Sequence, residues 1–286
     1  MGKLLKPSAT EQYVEKGYYH PIDALTREEA TVCLAHLERY ESNIGQPIDG
    51  KYRHKPHLLF PWLHDLISHP RVLDAVEDVL GPNILCWGSS FFIKEPEDPG
   101  YVSWHQDATY WGLDQPDVCT AWIALTPSTR ANGCMRVASG SHGKQLTHTD
   151  TFHKDNLLSR GQEINAEVDE KNAVDLELSP GQMSLHHVRI IHGSNPNPTT
   201  TRRVGFAIRY IAATVRQSLG PRDFATLVRG NVVNDFWELE PRPKDELDAE
   251  ALAYHEHMCD VQAKMLFAGA ENAKPFQARS ERSPTL

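Results

Sequence analysis

The chain has 286 residues, 40% of them hydrophobic and 23% charged, with a formal net charge of −9. That acidic balance excludes a general nucleic-acid binder, which needs a basic patch for phosphates, and no stretch approaches the roughly 20 apolar residues that span a bilayer. The start Met1-Gly2-Lys3-Leu4-Leu5 lacks the apolar run of a secretory signal, and five scattered cysteines without a CxxC fit reduced thiols, so a soluble cytoplasmic protein with no membrane partner is expected.

Residues 8–80 read mainly as helices. Ser8-Ala9-Thr10-Glu11 and Thr26-Arg27-Glu28-Glu29 both match the capping box, in which hydroxyl and carboxylate satisfy each other's backbone N–H groups. After Thr26, residues Ala30, Val32, Cys33, Leu37 and Tyr40 recur at helical spacing. Pro70 opens a further helix carrying Val72, Leu73, Val76 and Leu80, and Gly81-Pro82 stops it.

From Asn83 the period changes. Segments 84–94, 117–125, 133–139, 174–178, 182–192 and 203–211 are rich in β-formers. Between them lie turn signals such as Glu97-Asp98-Pro99-Gly100, Asn132-Gly133 and Ser179-Pro180-Gly181. Many short strands so punctuated predict a sandwich or barrel. The stretch from about 142 to 171 is polar and weakly patterned and reads as an insertion or lid. A C-terminal helical part of about 220–268, with a helix over 246–267, precedes a polar tail expected to be loose. No repeat or linker divides the chain. One domain over 1–286 is expected, mainly β with flanking helices, its β core at about 83–212.

Trp104-His105-Gln106-Asp107 places an imidazole and a carboxylate where they can share a metal ion. Two more HxD pairs exist, His148/Asp150 and His153/Asp155, but both lie in the polar insertion. A third ligand for the first pair is sought on a neighbouring strand, and His192 ends the predicted strand 182–192. Two histidines and one carboxylate suit non-haem Fe(II), with positions left for cosubstrate and O₂. A zinc hydrolase or a non-catalytic metal-binding β-barrel uses the same ligand types. Arg203 helps to decide. On its strand Arg203, Gly205, Ala207 and Arg209 share one face, and Val204, Phe206, Ile208 and Tyr210 the other. Small residues behind an arginine leave space for a ligand carboxylate to meet the guanidinium, with Ser194 adding a hydroxyl. 2-Oxoglutarate, chelating at one end and held at the other, meets that description. Arg209 lies about 20 Å further along at roughly 3.3 Å per residue, too far for the same carboxylate, and an internal ion pair is expected for it.

The motifs WHQD at 104–107, ANGCMRVASGSH at 131–142 and SPGQMSLHHVRIIHGSNPN leading to Arg203 resemble the phytanoyl-CoA dioxygenase-like family of Fe(II)/2-oxoglutarate oxygenases. The resemblance runs from about Gly17 to Ile211. It implies a double-stranded β-helix (jelly-roll) core with iron ligands His105, Asp107 and His192. It also implies that Arg203 binds the distal carboxylate of 2-oxoglutarate, helped by Ser194 and Gln106, with Trp122 as the aromatic neighbour. The implied reaction hydroxylates a small molecule with O₂ and releases succinate and CO₂. Related halogenases carry a small residue at the carboxylate position, so Asp107 favours hydroxylation. His186 is either a satisfied core histidine or a group near the site, and Arg136 and Arg189 leave room for an anionic substrate.

Overall fold

The structure, a computed structural model, describes residues 2–232, 234–270 and 274–281. In chain order it has α1 (Pro7–Lys16), β1 (Tyr18–Asp23), α2 (Arg27–Ile44), α3 (Pro61–Ile67), α4 (Pro70–Leu80), β2 (Ile84–Lys94), β3 (Val102–His105), β4 (Val118–Ala124), β5 (Met135–Val137), β6 (His148–Asp150) and β7 (Gln162–Ile164). There follow β8 (Val174–Leu176), β9 (Gln182–His187), β10 (His192–Ser194), β11 (Arg203–Ala212), β12 (Asp223–Arg229), β13 (Trp237–Leu239) and α5 (Ala249–Leu266).

The strands form a seven-stranded major sheet, β1-β9-β4-β11-β2-β12-β13, and a four-stranded minor sheet, β3-β10-β5-β8. Together they make the jelly-roll core. Alternation along β11 explains the layering. Val204, Phe206, Ile208 and Tyr210 join a core shared with α1, α3 and α4, where Leu63, Ile67, Val72 and Val76 are buried. The Tyr210 hydroxyl donates to the Ile67 carbonyl at 2.8 Å and fixes α3 to the sheet. Ala207, on the opposite face, packs with Trp122, Met135, Val137 and Ile190 between the two sheets. Functional side chains therefore gather between the sheets, while the helices seal the outside of the larger one.

Several local expectations need correction. The Thr26 box forms, with Glu29 N–H donating to Thr26 Oγ1 at 3.1 Å and Thr26 N–H to Glu29 Oε2 at 2.7 Å. The Ser8 box does not: Pro7 starts α1, and Lys6 precedes it without a side-chain cap. On α2, Val32 is exposed, so Ala30 and Leu37 carry the buried stripe. The predicted strand 182–192 is two strands in different sheets, β9 and β10, separated by a turn in which Ile190 N–H donates to His187 O. The segment 142–171 is not featureless, because β6 and β7 pair as a ribbon. Strands also lie outside 83–212: β1 among the N-terminal helices, and β12 and β13 before α5. The tail packs where it is described. Phe276 stacks on His54 at 4.3 Å and Arg279 pairs with Asp98 at 2.8 Å, while 271–273 and 282–286 lie outside the described residues. Among the described residues no helix is long and apolar enough to cross a membrane.

Candidate metal centre and cosubstrate pocket

β3 and β10 are antiparallel neighbours in the minor sheet, with His105 directly opposite His192. Residues so opposed have side chains close enough to meet, and the two imidazole centroids are 4.1 Å apart. Asp107 opens a short 3-10 helix just after β3, and its Oδ1 lies 3.4 Å from His105 Nε2. One ligand atom from each of His105, Asp107 and His192 lies within 4.8 Å of the others, and all three residues are buried. This is the one such cluster among the described residues.

Protonation suits a metal. His105 Nδ1 faces the Ser103 and His192 carbonyls at 2.9 and 3.1 Å, and His192 Nδ1 faces the Ile190 carbonyl at 3.1 Å. Donation from Nδ1 leaves both Nε2 lone pairs free for an ion, the usual second-layer device at metal histidines. Burial, then the neighbouring His105, holds His192 well below its ordinary pKa. For Asp107, burial opposes ionisation, but the surrounding imidazoles of His105, His186 and His192 hold its carboxyl well below the usual range. Neutral imidazoles and a charged carboxylate are the forms that bind divalent metal.

Across from the minor sheet, β11 and β4 supply the rest of the pocket. Arg203 begins β11, is 2% exposed, and donates from Nη1 to the Gly133 carbonyl. Its Nε has no hydrogen-bond partner among the described residues, and burial lowers the guanidinium to about 10. A buried cation without a carboxylate is costly unless a ligand supplies one. Trp122 packs over it, with the guanidinium carbon 5.4 Å from the ring centroid. The indole fits because Gly205 has no side chain, since a Cβ there would lie 1.9 Å from Trp122 Cζ2. Ser194 Oγ accepts from Lys94 Nζ at 2.7 Å, which leaves the hydroxyl proton free to donate. His105, Asp107, His192, Arg203, Ser194 and Trp122 all line one cavity between the sheets.

Gln106 does not join them. Its amide nitrogen donates to the Lys144 and Arg189 carbonyls at 2.9 and 2.6 Å, and its oxygen accepts from Leu146 N–H at 2.7 Å. It ties down the 144–146 segment instead. His148 accepts from the Gln106 N–H at 2.9 Å, meets Thr109 Oγ1 at 2.9 Å and is half-buried. Asp150 pairs with Arg160. Arg136 is committed to Asp175 and Glu170, which removes it as an anion site.

His186 and Arg209 also line the cavity, and Lys94 stands behind Ser194. His186, on β9, lies 3.8 Å from Asp107 Oδ2, and neither of its ring nitrogens has a partner among the described residues. Lys94 pairs in register with Arg203, and burial together with Arg203 pushes its ammonium down to about 6. As the one charged residue of β2 it gives the one signal the sequence offers. Arg209 also reaches the cavity, and among the described residues it lacks the carboxylate partner expected for it. It donates to Ser90 Oγ at 2.5 Å.

A family model described as phytanoyl-CoA dioxygenase matches residues 13–205. A probable alpha-ketoglutarate-dependent hypophosphite dioxygenase of Stutzerimonas stutzeri is 30% identical over 229 residues, 73% of this chain and 79% of that protein. Among solved structures, the apo form of the non-heme monooxygenase ThoJ superposes with a TM-score of 0.81 at 35% identity, covering 92% of this chain and 99% of that one. CytC3 with Fe(II) and alpha-ketoglutarate shares the fold with a TM-score of 0.62 at 24% identity, over 84% of this chain and 94% of its own. The chain belongs to the phytanoyl-CoA dioxygenase family.

Proposed function

We propose that His105, Asp107 and His192 hold the iron of an Fe(II)- and 2-oxoglutarate-dependent dioxygenase, and that Arg203 and Ser194 hold the distal carboxylate of 2-oxoglutarate. The observation that carries this reading is the pairing, in one cavity, of a buried His-Asp-His cluster with a buried guanidinium that has no carboxylate partner among the described residues. A zinc hydrolase or a metal store needs no such anchor. When bound, iron and 2-oxoglutarate supply the oxidising chemistry, which converts O₂ and a small-molecule substrate to hydroxylated product, succinate and CO₂.

The chain's own residues bind, orient and exclude water. His105 and His192 present Nε2 because backbone carbonyls hold Nδ1. His186, 3.8 Å from Asp107 Oδ2, would help to orient the carboxylate that holds the metal. Lys94 polarises Ser194 toward the cosubstrate, and Trp122 shields Arg203. We infer that the whole chain works as one oxygenase unit. Five free cysteines support a reducing, cytoplasmic setting, and the net charge of −9 supports the absence of a nucleic-acid partner. The test is succinate formation from 2-oxoglutarate in air. Iron-loaded protein is expected to form it, and zinc-loaded protein and His192→Ala are not. Equal rates with either metal would overturn the reading.

A further inference from the structure

Beyond Asp107 a second cavity, of about 150 Å³, opens on the side away from Arg203, and Asp107, Phe92 and Arg209 line both. Its walls combine aromatic and aliphatic side chains, Trp87, Trp111 and Leu157 among them, with polar ones such as Ser89, Ser159 and Gln262, and two guanidinium groups, of Arg53 and Arg209, stand in it. Both lean on one ring: Arg53 and Arg209 lie 5.9 and 5.7 Å from the Phe92 centroid.

Neither arginine pairs with a carboxylate among the described residues. Arg209 donates to Ser90 Oγ at 2.5 Å, and its buried Nε has no partner among the described residues. Arg53 donates from Nη2 to the Leu157 carbonyl at 2.8 Å. A guanidinium carries five N–H donors, so each has donors to spare. Of the acids lining the cavity, Asp49 accepts from the backbone N–H groups of Gly50 and Arg279, each at 2.8 Å, and Asp107 belongs to the metal cluster. Burial, and the charge of Arg53, lower the Arg209 guanidinium, with Asp107 opposing. Two like charges on one ring in a partly desolvated pocket are costly, and an anion between them offsets that cost.

The local backbone is arranged to bring them there. β2 and β11 slip register between Arg209 and Tyr210, so that Gly88 lies opposite Arg209 and Cys86 opposite Tyr210. Bulges of this kind re-aim side chains beside sites. A Cβ at Gly88 would lie 3.8 Å from Arg209 Cδ, in ordinary contact, so the arginine stem runs alongside β2 at this point. Arg53 is held by the next two residues. Lys55 N–H donates to the Ser89 carbonyl at 2.9 Å, and His54 Nε2 meets Gln262 Oε1 of α5 at 2.7 Å.

We infer that the substrate is a small anion whose phosphonate, phosphate or carboxylate group is held by Arg209 and Arg53, with its apolar part against Trp87 and Trp111. This deepens the oxygenase reading and rests on it. The anion is distinct from 2-oxoglutarate, which is held at the Arg203 end of the same strand.

The test uses the full chain, anaerobic and saturated with Fe(II) and 2-oxoglutarate, titrated with methylphosphonate, propionate and neutral propionamide. Calorimetry and the shift of the visible charge-transfer band are followed together. The anions are expected to bind and the amide not. Arg209→Gln and Arg53→Gln are each expected to weaken anion binding roughly 10- to 100-fold, the scale of lost charge-assisted hydrogen bonds, while the band induced by 2-oxoglutarate persists. If one variant fails to fold, as thermal unfolding would reveal, the other together with Arg209→Lys, which keeps the charge, carries the comparison. Equal binding of propionamide and propionate, unchanged affinity in the folded variants, or a second equivalent of 2-oxoglutarate displacing the anions would each overturn the inference. Loss of the band with anion binding intact would instead strike the iron reading.

Discussion

Replacing Gly205 by alanine tests how the cosubstrate pocket is built. The new Cβ would meet Trp122 at three ring atoms, Cζ2, Cη2 and Cε2, at 1.9, 2.3 and 2.5 Å. The indole is a rigid plane, 5% exposed, on a strand buried throughout its length, so it must retreat to the 3.4 Å of ordinary contact. Overpacking of this kind costs about 1–3 kcal/mol, and withdrawing the ring from Arg203 forfeits about 0.5–2 kcal/mol of cation–π attraction. Stability is expected to fall by roughly 2–12 °C in Tm, taking about 2–4 °C per kcal/mol for a chain of this size. Affinity for 2-oxoglutarate is expected to fall by about 2- to 30-fold, the range that about 0.5–2 kcal/mol gives at roughly 1.4 kcal/mol per factor of ten. The assay is thermal unfolding beside a 2-oxoglutarate titration, on Gly205→Ala, Trp122→Leu and the double variant. The double variant should recover much of the Tm lost by Gly205→Ala, since leucine lacks the clashing ring, giving a coupling of about 1 kcal/mol or more. Additive losses, or a Gly205→Ala protein with unchanged Tm and affinity, would refute the reasoning.

Other consequences follow from buried charge. Lys94, pushed down to about 6 by burial and by Arg203, is neutral in the free protein near pH 8. A carboxylate arriving at Arg203 and Ser194 raises it again, so 2-oxoglutarate binding at pH 8 should take up about one proton. Calorimetry in buffers of different ionisation enthalpy reads this directly, and Lys94→Met should abolish it. The Lys55–Glu240 pair, 2.6 Å apart with side chains at most 1% exposed, anchors the loop that carries Arg53. Lys55→Met strands a buried carboxylate and should cost about 3–5 kcal/mol by urea unfolding. Burial would raise the Glu240 carboxyl, but Lys55 and His57 hold it at about 2, below its usual 4.5. Its stabilisation is therefore full above pH 4.5 and lost as pH falls toward 2, and Glu240→Gln should flatten that acid limb. Gln106→Leu should leave 2-oxoglutarate affinity unchanged but speed proteolysis at 144–146, whose backbone Gln106 holds.

Alternation makes β11 legible in the sequence, because one face is wholly apolar and the other small between two arginines. The same rule explains why Gln106 stands apart from the cosubstrate. In an extended HxD the middle side chain points away from the two ligands, and Gln106 does so. The break of the expected strand 182–192 into two is hidden in the sequence because Val188, Ile190 and Ile191 continue the apolar character through the turn, so hydrophobicity cannot reveal the crossing from one sheet to the other. The short strands β6 and β7 have three residues each, too few for a period to show. For Arg209 the distance along the strand is legible but its partner is not, since that depends on β2 and on the loop around Arg53, far away in sequence.

The central claim, that His105, Asp107 and His192 form an iron centre serving 2-oxoglutarate held by Arg203, is tested most directly by anaerobic titration of the iron-loaded protein with 2-oxoglutarate. A visible metal-to-ligand charge-transfer band should grow to one equivalent, vanish in His192→Ala, and require much higher 2-oxoglutarate in Arg203→Ala. A folded, iron-bound protein that gives no band, or a band indifferent to both substitutions, would contradict it.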